Sequence, residues 1–172
     1  MKNNFYWTKT LLTVYKYLER VAGAVDKIIL KNGLNSANIT GQNYYYNNVY
    51  VVTEKLINLS QRKVTLINLK VLVEQTLCEV DEEDAILLIE RFIESAKVKD
   101  IMQQHDLSLR STFRKIERAI DNFGNCLRKK GYNDIYLAQM VKDEKWICNV
   151  HQRFLKQEDV SLPNTFLEKA IS

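Results

Sequence analysis

The amino-acid sequence predicts an all-α fold: a long N-terminal helical hairpin, then a helix-turn-helix unit, then short C-terminal helices. Only five glycines and one proline occur among 172 residues, and none lies between Gln42 and Phe123, so helix breakers are scarce where the longest elements must form. Apolar residues recur at three- and four-residue steps through most of the chain, the period of helices buried on one side. Charge is segregated as well. Residues 79–96 hold seven acidic side chains and one basic, whereas residues 108–130 hold seven basic and two acidic, the pattern of a basic element resting on an acidic support.

Residues 5–31 form the first predicted helix, because Leu11, Val14, Leu18, Val21, Val25 and Ile28 fall on one side. It is expected to stop near Asn32-Gly33. Residues 32–48, with six asparagines, Gly33 and Gly41, are expected to be a loop. Tyr44, Tyr45 and Tyr46 close that loop, read as an edge to the first helix's core rather than as a base-stacking platform. Residues 49–77 repeat Val52, Leu59, Leu66 and Val73 every seven positions, with Val49, Leu56 and Leu77 on the alternating positions, interrupted by Lys63 and Lys70. That predicts one helix of roughly 45 Å, antiparallel to the first. A second stripe, Ile57, Val64, Ile67 and Val71, calls for cover from the C-terminal part of the chain or from another subunit.

Residues 79–95 open with Asp81-Glu82-Glu83-Asp84, where negative charge suits a helix start, and continue with Ala85, Leu88, Ile89, Phe92 and Ile93 as a support helix. In the next stretch Val98, Ile101 and Met102 keep helical spacing, and Asp106, Leu107 and Ser108 break it. Thr112, Ile116, Ala119, Ile120, Phe123 and Leu127 then restart it. Two helices joined by a tight polar turn are the outline of a helix-turn-helix. Ser108 is the expected N-cap of its second helix. Opposite the apolar side, Arg110, Arg114 and Arg118 run one turn apart with Ser111 and Lys115 beside them, the cationic front a helix needs to lie in a DNA major groove. Lys97, Lys99, Lys129 and Lys130 are the expected phosphate contacts. The helix should end at Gly131, a suitable C′ residue. Residues 135–141 and 146–155 predict two shorter helices, the second with Trp146, Val150 and Phe154 on one face, before a tail from Lys156.

The run DIMQQHDLSLRSTFRKIERA resembles the helix-turn-helix of sigma factor region 4, and is closest to phage late transcription regulators with a sigma-like domain. The resemblance spans roughly residues 81–132, with Ile101, Leu107, Ser108, Thr112, Ile116, Arg118 and Ala119 at pattern positions. Met102 stands where a small residue is usual, His105 where an apolar one is, and Asp106 where glycine is. Aspartate tolerates the left-handed conformation that turn requires. The resemblance implies a cytoplasmic DNA-binding transcription regulator with double-stranded DNA and RNA polymerase as partners. The hairpin before Glu79 does not resemble the polymerase-binding domain of a complete sigma factor, so an accessory factor or activator is expected.

Three domains follow: residues 1–78 as hairpin, 79–132 as DNA-binding unit, and 133–172 as C-terminal helices and tail. The net charge of +4 permits nucleic acid without requiring it. Three widely spaced cysteines, Cys78, Cys126 and Cys148, read as reduced structural residues, and His105 and His151 as isolated. No nucleophile elbow, phosphate loop, HExxH or paired-cysteine zinc pattern occurs, so no enzyme, metal or cofactor is expected. No run approaches membrane-spanning length, and no membrane partner is expected. Two alternatives remain: a phage small-terminase-like DNA-packaging adaptor, and a helical protein that binds polymerase without DNA. A homodimer through the N-terminal helices is compatible with each.

Overall fold

A computed structural model describes residues 2–37 and 45–157, with side chains at 6–33 and 49–157. Seven α-helices and one π-helical turn make up the described residues, and no strand occurs among them. The hairpin is α1 (Lys2–Ala37) and α2 (Tyr45–Leu77). Both helices run further into the expected loop than the asparagines suggest. Gly33 is a helical residue, and α2 is already helical at Tyr45. Tyr44 lies outside the described residues, as do the side chains of Tyr45 and Tyr46.

The hairpin is antiparallel, and its polar contacts give the register. Lys63 Nζ reaches Asp26 Oδ1 at 2.6 Å, Lys70 Nζ reaches Glu19 Oε2 at 2.9 Å, and Tyr15 Oη donates to Glu74 Oε1 at 2.7 Å. The two lysines that break the heptad seam of α2 are thus its ties to α1. Burial and the Glu74 carboxylate push the Tyr15 hydroxyl up to about 12, so it remains a donor. Leu66, Leu69, Leu72 and Val73 fill the interior side of α2, while Val49, an expected seam residue, is exposed.

α1 is more than half of a hairpin. Trp7, Thr8, Thr10, Leu11, Leu12 and Val14 are all buried, more directions than one stripe can serve, so its first turns are enclosed on several sides. α2, α5, α6, α7 and the π-helical turn all pack against it. One hydrophobic cluster runs from Trp7 through Leu66, Leu88, Ile120 and Leu137 to Val150. The three segments separated at residues 78 and 132 by sequence therefore share a single core.

The acidic support is α3 (Glu82–Leu88), which widens into the π-helical turn (Ile89–Ile93). After Ser95, at φ +61°, come α4 (Val98–Gln104) and the long α5 (Leu109–Lys129). α3 and α4 both pack on α5, and α4 also meets the π-helical turn. α4 ends in a left-handed cap: Asp106 has φ +49°, and the Leu107 N–H donates to the Met102 carbonyl at 3.0 Å. Asp106 thus adopts the conformation in which glycine is usual. α5 ends the same way at Gly131, with φ +88° and the Tyr132 N–H on the Leu127 carbonyl at 3.0 Å.

α6 (Asp134–Met140) and α7 (Lys145–Leu155) follow. The Asn133 side chain caps α6 by accepting from the Tyr136 N–H at 2.9 Å. Trp146, Ile147, Val150 and His151 of α7 are buried, and Phe154 is half-buried. The tail from residue 158, with Pro163, lies outside the described residues. No helix among the described residues is long and apolar enough to cross a membrane.

Candidate nucleic-acid interface

α5 starts where Ser108 predicts. Its Oγ accepts from the Ser111 N–H at 3.2 Å, satisfying one of the orphan donors of the first turn. The Thr112 hydroxyl donates back to the Ser108 carbonyl at 3.0 Å. Thr112, Ile116, Ala119, Ile120, Phe123, Gly124 and Leu127 are buried, so one side of α5 is fully committed to the core. At about 100° per residue, that fixes Arg110, Arg114 and Arg118 on the solvent side, and all three are exposed.

The ten cations and hydroxyls expected at the interface do not share one environment. Arg110 and Arg114 are exposed, and among the described residues neither enters an ion pair. Arg118 differs: its Nη2 lies 3.2 Å from Oδ1 of Asp84, a carboxylate only 1% exposed. Asn122 Nδ2 donates to the other oxygen of Asp84 at 2.6 Å. Arg118 therefore ties α5 to α3, a structural role that the ridge pattern does not reveal. Lys115 Nζ is 3.8 Å from Glu83, and Lys130 Nζ is 2.9 Å from Glu79. Ser111 is half-buried at the cap, and Lys97, Lys99 and Lys129 are exposed. Lys129 and Lys130 sit at the far end of α5, roughly 30 Å from Arg110 at 1.5 Å per residue, so the two groups of cations are not gathered into one patch.

The acidic run, expected to serve as a helix cap, divides as well. Asp81, Glu82 and Glu83 are exposed, whereas Asp84 turns inward to hold Arg118 and Asn122. The outward side of α5 also changes sign along its length. Glu117 and Asp121 are exposed and fall within about 60° of Arg114 on the helical wheel. The cationic front is thus confined to the first two turns. Beside it Leu109 and Phe113, one turn apart, are 53% and 48% exposed. Sequence reading passed over both, although their position off the buried stripe was the available signal.

Neither histidine is isolated. His105 Nε2 lies 2.9 Å from Oε2 of buried Glu90, and Gln104 Nε2 donates to the other oxygen at 2.9 Å. The end of α4 is thereby fastened to the π-helical turn. His151 stacks on Trp7 with ring centroids 3.8 Å apart, and its Nδ1 is 3.2 Å from Thr10 Oγ1. That hydroxyl donates to the Tyr6 carbonyl at 2.7 Å, which leaves its oxygen able to accept from a ring N–H of His151. Burial lowers the His151 pKa.

Cys78 is exposed, contrary to its apolar sequence context, and Cys126 and Cys148 are half-buried; all three are free. Burial pushes the Cys148 thiol up, and its Sγ–H points at the Val141 carbonyl. Among the described residues no cluster of three or more His, Cys, Asp or Glu side chains could hold a metal ion. A groove of about 650 Å³ between α2 and the α6–α7 turn is lined by residues including Asn58, Arg62, Met140 and Glu144. Both Glu144 oxygens are occupied, by Arg62 Nε at 2.7 Å and Trp146 Nε1 at 2.7 Å.

No protein-family model matches the chain, and neither does any curated protein or solved structure.

Proposed function

We propose that the chain is a sequence-specific DNA-binding transcription regulator, an activator or sigma-like accessory factor, that presents the start of α5 to the major groove. The observation that carries this reading is the pair Arg110 and Arg114: exposed, one turn apart, without an ion pair among the described residues, on a capped helix whose opposite side is buried. A helix held this way offers its N-terminal side chains to base edges. Leu109 and Phe113 alongside can meet thymine methyl groups. Lys97 and Lys99 at the start of α4, with Lys129 at the far end of α5, supply phosphate contacts. Lys115, Arg118 and Lys130 are held back by their carboxylate partners, so the reading rests on a smaller set than the sequence proposes.

Two arginines carry limited discrimination, about 1–3 kcal/mol for each bidentate contact with guanine. RNA polymerase or a second protein copy therefore supplies the remaining affinity. The test is selection from a random duplex pool, followed by anisotropy titration with and without polymerase. Arg110→Ala with Arg114→Ala is expected to weaken the selected duplex at least about 30-fold, from about 1 kcal/mol per contact. Wild-type binding should fall steeply with salt. Binding that ignores salt, or that survives the double substitution, refutes the proposal.

A further inference from the structure

α2 has a side that no part of the described chain covers. Tyr50, Ile57, Val64 and Val71 recur every seventh residue and are 73%, 51%, 55% and 41% exposed, with Val49 and Ile67 beside them. At about 100° per residue the six fall within roughly one third of the helix circumference. Thr53, Ser60, Gln61, Asn68 and Gln75 share the same sector, and all are exposed. All six charged residues of α2 lie outside it. Four of these engage elsewhere: Arg62 on Glu144, Lys63 on Asp26, Lys70 on Glu19, and Glu74 with Tyr15. Some 40 Å of helix, at 1.5 Å per residue, therefore faces outward without a charge, in a chain that is 27% charged.

A solvated helix face ordinarily carries charge, so this face is shaped for a partner. Three properties identify the partner as the same face. The seven-residue spacing of β-branched side chains is the seam that two helices present to each other when they pair. A face without charge meets its own copy without like-charge repulsion, although the chain carries a net +4. Six exposed apolar side chains on each of two copies provide on the order of the 1,000 Å² that specific association requires. We infer that α2 pairs with α2 of a second copy in a two-fold dimer, with the two Val64 side chains adjacent at the middle of the seam. Pairing through Val64 satisfies either helix direction, because that residue lies near the centre of the stripe. The inference stands without the DNA reading, since every measurement below is made on protein alone.

Sedimentation equilibrium of the full chain across the micromolar range is expected to give twice the 20.2 kDa of one chain. Val64→Glu with Val71→Glu should halve that mass while leaving helix content unchanged, because both positions are exposed in the single chain. Should that variant unfold, Val64→Cys in a Cys78→Ser background provides the second arm. A short bismaleimide is expected to join two chains through position 64, and not through a control cysteine at Asp143. A wild-type mass of one chain, a larger ring, a folded Val64→Glu/Val71→Glu variant that keeps its doubled mass, or no cross-link at position 64 overturns the inference.

Discussion

Removing Arg118, the exposed member of the α3–α5 ion pair, should cost more stability than removing Asp84, the buried one. The Arg118 side chain is 57% exposed and the Asp84 side chain 1%. In Asp84→Ala the guanidinium turns to water and keeps its hydration, so the loss is that of hydrogen bonds to a charged acceptor and of the Asn122 contact, about 2 kcal/mol. In Arg118→Ala a carboxylate stays buried with Asn122 as its remaining side-chain partner. Leaving a buried charge unpaired costs about 3–5 kcal/mol. The free N–H groups and dipole at the start of α3 offset part of that, which sets the expectation at about 3 kcal/mol. The double variant should lose less than the two single losses combined, by about 1 kcal/mol or more. Urea denaturation measures all three as shifts in midpoint at constant slope. An Arg118→Ala variant within about 0.5 kcal/mol of wild type would mean an ordinary surface pair and would refute the reasoning. For the same reason DNA-binding tests should substitute Arg110 and Arg114, since a loss of binding in Arg118→Ala could reflect a loosened α5.

Two further outcomes follow from the core and the caps. Because burial lowers the folded-state pKa of His151, the unfolded chain binds more protons than the folded one just below the ordinary histidine value of about 6.5. Its contribution to stability is therefore full above that pH and declines as pH falls toward the lowered value. Thermal unfolding of wild type and His151→Phe between neutral and mildly acidic pH should show a smaller acid-induced drop in the variant. Gly131→Ala places a side chain at φ +88° with no steric obstruction nearby, so its cost is conformational, about 1–2 kcal/mol, readable by the same urea titration. No loss at all would mean that the cap relaxes freely.

Much of the architecture was legible in the sequence because it depends on periodicity. The seven-residue repeat of α2, the N-cap at Ser108 and the glycine cap at Gly131 all follow from local chemistry. What escaped was the set of contacts between distant segments. Lys63 and Lys70 look like seam breakers until Asp26 and Glu19 stand opposite them, and Arg118 looks like its neighbours until Asp84 is found beneath it. His105 looks isolated until the π-helical turn brings up Glu90. The fusion of three expected domains into one core has the same origin. A helical pattern shows which side of α1 is apolar, but not that Trp7 and Thr10 meet His151 of α7.

The placement of α1 at the centre has a bearing on how the chain acquires its shape during synthesis. Thr10 waits for His151, 141 positions further on, and Trp7 waits for the same ring. As the nascent polypeptide leaves the ribosome, α1 and α2 can zip together early, but the tryptophan end stays bare until α7 emerges. Such long-range closure slows folding and leaves a greasy surface open meanwhile, making stalled or prematurely released fragments natural clients for chaperones.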